Sequence, residues 1–200
     1  MNKGAVMNKY LLIVVAAAVV AFGAGAPAIW TFTDTRDGKT YKTVKIGTAV
    51  WMSENLNFAA KGSVCYGNND ANCDKYGRLY DWDTALKACP AGYHLPLDDE
   101  WAALVGYAGG RENAGKKLKS KAGWNNNGNG TDDYGVSALP GGYGYSDGSF
   151  YYAGIYGYWW SATEGEAYVA RSRNMYYLSE YVYGISTGKS GLFSVRCVKD

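Results

Sequence analysis

The sequence predicts an α+β fold, with two short helices packed on small antiparallel sheets and long loops between them. Three observations point there. Apolar residues recur at helical spacing in two places, around 82–89 and 98–108. Short runs rich in aromatic and β-branched residues recur through the rest. Turn chemistry is dense, with 27 glycines in 200 residues. That length suits one domain with an ordinary core.

The N-terminus comes first. Lys3 and Lys9 precede an uncharged run from Tyr10 to Phe22, and 23–28 reads GAGAPA, where Ala26 and Ala28 have the small-x-small spacing of a cleavage site. Residues 1–28 therefore read as a secretory signal peptide and 29–200 as a single domain, secreted or held at a bacterial cell surface. No cysteine follows the apolar run, so no acylation point is offered. Met7 is a second candidate start, since MNK recurs there. The alternative is a retained helix, because 11–30 is long enough to span a bilayer; only then would a membrane be a partner. Without residues 1–28 the chain carries 18 basic and 18 acidic groups. It has no basic stripe, which excludes nucleic acid.

In the domain, 41–46 and 49–52, separated by Gly47-Thr48, read as a hairpin. Residues 80–88 read as a helix with Trp82, Ala85, Leu86 and Cys89 on one face, ended by Pro90. A second helix begins after Pro96 with Asp98 as N-cap, buries Trp101, Leu104, Val105 and Ala108, and stops at Gly109-Gly110. Residues 124–142 form a long polar loop. Strands are expected at 158–163, 167–175 and 192–198, the last with Phe193, Val195 and Cys197 inward. Trp159 and Trp160 then face opposite ways.

Export makes disulfides the natural state of the four cysteines. Three pairings are possible. The simplest joins Cys65 to Cys73 across YGNNDAN, which leaves Cys89 with Cys197. Paired C-x-x-C spacing is absent and His94 is the only histidine, so a zinc site is not indicated.

The candidate function-bearing segment runs from Tyr134 to Asp200, where 12 of the 19 tyrosines sit among Gly, Ser and Asn. Tyrosine offers broad, rigid, amphipathic contact area, and its small polar neighbours adapt their hydrogen bonds. The candidate ligand contacts are Tyr143, Tyr145, Tyr151, Tyr152, Tyr156, Tyr158, Trp160, Tyr176, Tyr177, Tyr181 and Tyr183. The competing reading is a packed aromatic sheet, since tyrosine is also a good strand former. In the loop before them, Asn127, Asn129, Asp132 and Asp133, with Asn125, Asn126 and Thr131, offer oxygens of the kind calcium prefers. Asx turns would use the same residues. His94, in GYHLP between the helices, is expected to bond backbone and fix that turn. Asp132 and Asp133, being adjacent, suit a cation or a turn better than glycosidic acid–base work.

The stretches DGKTYKTVKIGTAVWMSENLN (37–57), CYGNNDANCDKYGRLYDW (65–82), ACPAGYHLPLDDEW (88–101), GWNNNGNGTDDYGVSALPGGY (123–143), YWWSATE (158–164) and FSVRCVKD (193–200) closely resemble the Fibrobacter succinogenes major paralogous domain. The resemblance covers nearly everything from Phe32 onward. It implies a fold of the C-type-lectin-like and formylglycine-generating-enzyme group, with N- and C-terminal strands adjacent, a bridge from Cys89 to Cys197, and a long loop excursion as the binding face. Formylglycine-generating enzymes hold copper through a cysteine pair just before the last strand. The corresponding stretch here, 161–186, has no cysteine. The Glu-Pro-Asn and Gln-Pro-Asp tripeptides of calcium-dependent lectins are also absent. The sequence thus predicts a non-enzymatic adhesin that binds an extracellular polysaccharide or, as the alternative, a surface protein, the latter including receptors diversified by retroelements. Calcium is the one candidate cofactor. A structural alternative is the exposed subunit of a filament built on the apolar N-terminal helix.

Overall fold

The computed structural model describes residues 27–200, so the segment read as a signal peptide or retained helix lies outside the described residues up to Ala26. The elements run β1 (Ile29–Thr33), β2 (Thr40–Ile46), β3 (Ala49–Met52), α1 (Asp70–Tyr76), β4 (Leu79–Tyr80), α2 (Trp82–Ala88), β5 (Tyr93–His94), α3 (Asp98–Tyr107) and α4 (Ala114–Leu118). They continue with β6 (Tyr143–Gly144), β7 (Phe150–Tyr151), β8 (Tyr156–Glu164), β9 (Val169–Tyr176), β10 (Val182–Gly188), β11 (Phe193–Ser194) and β12 (Val198–Lys199). The architecture is α+β, built of small sheets and short helices. One five-stranded sheet has the order β1-β2-β3-β12-β5, a second β10-β9-β8-β11-β4, and β6 with β7 forms a separate ladder.

The expected hairpin forms β2 and β3 in unbroken register. Its two-residue turn needs Gly47 at φ 61°, a conformation open to glycine. Among the described residues four α-helices replace the expected two. The polar stretch between Cys65 and Cys73 winds into α1, because the Asn69 side chain accepts from the Ala71 N–H and caps it. Tyr80 belongs to β4 rather than to the helix that follows, which starts after the Asp81 cap. Leu86 points outward, 39% exposed, and Ala88 takes the buried place expected of it. In α3 the cap position is Leu97, not Asp98; Glu100 reaches back to accept the Leu97 N–H at 2.8 Å. Asp98 is thereby free to pair with Arg173 at 2.5 Å, tying α3 to β9. Trp101, Leu104, Val105 and Ala108 are buried as expected.

Two apolar cores flank the second sheet. One gathers Val44, Trp51, Trp101, Leu104, Trp124, Trp159 and Met175; the other gathers Tyr41, Met52, Tyr80, Trp82, Trp160, Phe193 and Val195. Trp159 and Trp160 are successive residues on β8, and the pleat sends one to each core.

The C-terminal stretch is buried without alternation from Gly191 to Val198, because it runs through the middle of the molecule. Its β11 lies between β8 and β4, and its β12 between β3 and β5. The first and last strands share a sheet but are separated by β2 and β3, so they are not neighbours. Leu56 N–H donates to the Val195 carbonyl and Met52 N–H to that of Cys197. Both disulfides form, Cys65–Cys73 and Cys89–Cys197, with Cα separations of 5.0 and 5.9 Å. The second bridges 108 residues; in the chain-entropy account, whose mechanism is model-dependent, it contributes roughly 5 kcal/mol, against roughly 2.5 for the local bridge.

Arg196 is 1% exposed, and its named partners are neutral oxygens. Nη2 donates to Asn55 Oδ1 at 2.8 Å and to the Ser137 carbonyl at 3.4 Å, and Nη1 donates to the Val136 carbonyl. Asn55 Oδ1 also accepts from Trp159 Nε1 at 2.9 Å, while Asn55 Nδ2 donates to the Tyr76 carbonyl at 2.8 Å. Burial draws the guanidinium down to about 10, with Asp132 and Glu54 acting against that fall; it remains a cation at neutral pH.

Replacing Asn55→Ala strands both the Arg196 charge and the Trp159 N–H in the interior. Denaturant unfolding should show a loss of roughly 3 kcal/mol or more, whereas a loss under about 1 kcal/mol would mean that water or a rotated side chain takes over the role.

Candidate functional site

The tyrosines converge on one side of the second sheet. The register places Tyr156 opposite Tyr176, Tyr158 opposite Asn174, and Asn174 opposite Tyr183, and residues directly opposed on antiparallel strands share a face. Tyr156 and Tyr176 stack with centroids 4.7 Å apart, and Tyr177 meets Tyr176 edge-on at 4.7 Å. The β6–β7 ladder folds over the other end. It sets Tyr143 against Tyr158 at 5.1 Å and gathers Tyr145, Tyr151 and Tyr152 around Tyr143 within 6 Å. Ring contacts run unbroken from Tyr145 to Tyr177. The result is an open face rather than a cavity.

Within this face, exposure is unequal. Tyr145, Tyr151 and Tyr152 are 45%, 42% and 48% exposed, while Tyr143, Tyr156, Tyr158, Tyr176 and Tyr177 are half-buried supports. Burial pushes Tyr158 up to about 12 and raises Tyr143 further, so both stay protonated donors. Tyr181 and Tyr183 form a separate stacked pair, centroids 5.6 Å apart, with Arg111 over Tyr183. Trp160 does not belong to the surface. It is fully buried against Phe193 and donates to the Tyr80 carbonyl at 2.8 Å, because its neighbours β11 and β4 close over it.

Three contributors were not legible as such. Tyr66 and Phe150 pair at 5.4 Å beside the tyrosine cluster, although 84 residues apart in sequence by their numbers, 150 less 66. Asn174 lies beneath the face, 8% exposed, with an Oδ1 that has no hydrogen-bond partner among the described residues. Its two-residue spacing from Tyr176 on a strand was the available signal.

Tyr152 holds φ at 64°, the left-handed region that a bulky residue rarely enters. The turn it makes is fixed by its neighbours: its carbonyl accepts from both the Ile155 and Tyr156 N–H groups. The strained backbone keeps the Tyr152 ring in the exposed group, 6.1 Å from that of Tyr151.

Two of the four loop residues proposed for calcium have their side-chain oxygens engaged locally. Asp132 Oδ1 accepts from the Ser137 N–H at 2.7 Å and Oδ2 from the Ser137 hydroxyl at 2.6 Å. Asn129 Oδ1 accepts from the Trp124 N–H at 3.0 Å, and Lys116 Nζ donates to the Asn129 carbonyl at 3.5 Å. Asn127 lines a small groove with Lys116 and Lys119, whose ammonium groups disfavour a divalent cation; Asp133 is exposed on the loop's far limb. Asn126, Asn127 and Asp132 all stand at positive φ, as turn residues do. Lys119, drawn down to about 8 by burial, donates to the carbonyls of Tyr176, Tyr177 and Ser179 and so fastens the end of α4, just before this loop, to the aromatic face.

The His94 side chain bonds no backbone group among the described residues. Its Nδ1 lies 2.7 Å from Asp200 Oδ1 and its Nε2 2.9 Å from Glu100 Oε2, so it bridges β12 to α3. Burial lowers its proton affinity, but the bonds to Asp200 and Glu100 outweigh burial and raise it.

The span 44–199 matches the family model described as the Fibrobacter succinogenes major domain. The chain belongs to the Fibrobacter succinogenes major domain family. No curated protein and no solved structure matches it. The family span takes in every tyrosine of the face and both disulfides, and starts within β2.

Two outcomes follow for this Fibrobacter succinogenes major domain. Tyr152→Gly and Tyr152→Ala remove the same ring, but only glycine relieves the left-handed backbone. The Gly variant should be the more stable by about 1 kcal/mol in denaturant melts; equal stability would mean that the turn relaxes. For His94, the raised folded-state value means that its stabilisation is complete below the ordinary histidine value of about 6.5 and is lost as pH rises through the folded-state value. Wild-type melting temperature should therefore fall across that window more than that of His94→Gln, and parallel profiles would contradict the bridge.

Proposed function

We propose that this protein is an exported, non-enzymatic binding module that recognises an extracellular ligand through the tyrosine face, on a C-type-lectin-like scaffold. The observation that carries the reading is the group formed by Tyr145, Tyr151 and Tyr152, three half-exposed rings on a half-buried aromatic base. Such rings lose little rotamer freedom on binding, and a sheet and a ladder already hold them in place. The scaffold reading is supported by the Cys89–Cys197 bridge and by the sharing of one sheet by β1 and β12. All four cysteines are consumed in disulfides, so the described residues offer no thiol for copper-dependent formylglycine chemistry. Both ring nitrogens of His94 are held by carboxylates, which favours a structural role for it.

Carbohydrate is the first choice of ligand. Aromatic rings pack on the apolar faces of sugars, and beyond Tyr177 the face meets a polar groove lined by Asn126, Asn127, Asn129 and Ser179, whose amides and hydroxyl suit sugar hydroxyls. An extended polysaccharide would lie along both. A protein ligand is the second reading. Several rings meet edge to face, with interplanar angles of 70° for Tyr145 with Tyr151 and 63° for Tyr152 with Tyr156, so edges and hydroxyls are offered beside ring faces.

A glycan array and polysaccharide pull-down separates the two. Wild type should bind at least one glycan, and Tyr145→Ala with Tyr151→Ala should weaken that binding tenfold or more, at roughly 1 kcal/mol per ring, without lowering the melting temperature. Failure of wild type to bind any glycan would overturn the carbohydrate reading, and unchanged binding by the double variant would move the site elsewhere.

A further inference from the structure

We propose that β10 is an assembly edge, onto which a second copy of this chain adds residues 183–187 of its own β10 in antiparallel register, the outer side of Val182 being already taken by Arg111. The strand ends the second sheet and pairs with β9 through seven consecutive residues with no shift in register. Its sequence, VYGISTG, contains no charge and no proline. Edge strands of monomeric proteins are usually short, bulged, charged or proline-bearing, since a regular edge is a template for another strand. The opposite edge of the same sheet is closed: Leu79 of β4 exchanges both backbone bonds with Val64.

The direction of the free groups follows from two bonds. The Glu180 carbonyl accepts from the Gly115 N–H at 2.7 Å, and the Val182 N–H donates to the Arg111 carbonyl at 2.9 Å, both away from β9. Alternation then turns the N–H and C=O of Gly184 and Ser186 outward. Both residues are exposed, and those backbone groups have no protein partner among the described residues.

A two-fold axis through Ile185 satisfies them. In that register Gly184 lies opposite the partner's Ser186 and Ser186 opposite the partner's Gly184, so the outward groups of both copies pair with one another. Ile185 meets its own copy, and Tyr183 meets the partner's Thr187, an aromatic and β-branched pairing of the kind that stabilises sheets. The absence of charge removes the like-charge penalty that a two-fold axis would otherwise impose. Tyr183 lies on the same side of the sheet as Tyr158 and Tyr156, so the two aromatic faces would stand side by side on one continuous sheet. Two linked sites suit a repetitive polymer through effective concentration.

Sedimentation of the protein as exported, over a wide concentration range, tests this independently of any ligand. Wild type should pass from monomer to a species of twice the mass. Ser186→Pro removes one outward N–H and no backbone bond to β9, losing only the exposed side-chain bond from Arg171 to the Ser186 hydroxyl, so it should hold the protein monomeric at a nearly unchanged melting temperature. Ile185→Lys and Ile185→Glu should each be monomeric alone and should form a mixed dimer when combined. A wild type that stays monomeric at every concentration overturns the proposal. A dimer unaffected by Ser186→Pro, or unmixed by the charge pair, places the interface on another surface and overturns it equally.

Discussion

The buried guanidinium of Arg196 is the constraint around which the rest is arranged. A cation that is 1% exposed must have its hydrogen-bond donors answered, and here the answers come from two separate stretches of chain, one of which also holds a third. Asn55 arrives from the segment after β3, the Val136 and Ser137 carbonyls from the long polar loop, and Trp159 joins through the same Asn55 oxygen. Loop, hairpin and second sheet are thereby fixed to the stretch that Cys89–Cys197 fastens to α2. A charge satisfied by neutral oxygens gains its stability from geometry rather than from an opposite charge. Any shift of the loop would break several bonds together.

The aromatic face depends on this arrangement at one remove. Trp159 and Trp160 anchor β8 in two cores, and that anchoring sets the tilt of the sheet on which Tyr156 and Tyr158 stand. Lys119, at the end of α4 just before the polar loop, donates to the carbonyls of Tyr176, Tyr177 and Ser179 and so buttresses the face. Strain at Tyr152 is tolerated because the turn around it is bonded on both sides. Rigid support beneath and exposed rings above is the division of labour expected of a preorganised surface.

Much of this was legible residue by residue. The β2–β3 hairpin followed from alternation around Gly47, and the buried stripe of α3 from Trp101, Leu104, Val105 and Ala108. The opposite facing of Trp159 and Trp160 followed from strand geometry, but the same geometry did not reveal that both would be covered. α1 went unread because its stability comes from the Asn69 cap and the disulfide around it, not from an apolar stripe. The alternation expected of 192–198 failed because a strand between two neighbours in the middle of the molecule is buried on both faces. At Asp132 a carboxylate in a Gly-rich loop reads the same in sequence whether it holds a cation or its own turn, and the bonds to Ser137 are visible only in the folded loop.

By itself the sequence determined the α+β class, the family, the cysteine partners once family and spacing are taken together, and the chemical character of the surface as tyrosine on a polar, glycine-rich frame. Those properties are local, written in composition, period and motif. Tertiary structure alone decided which tyrosines are exposed and which support them, that Tyr181 and Tyr183 stand apart, that Trp160 is interior, and that Tyr66 joins the cluster. Exposure depends on what packs above a residue, and here the neighbours come from β4, β11 and the Cys65–Cys73 segment, far away in the chain. No periodicity within a segment encodes which distant segment will cover it.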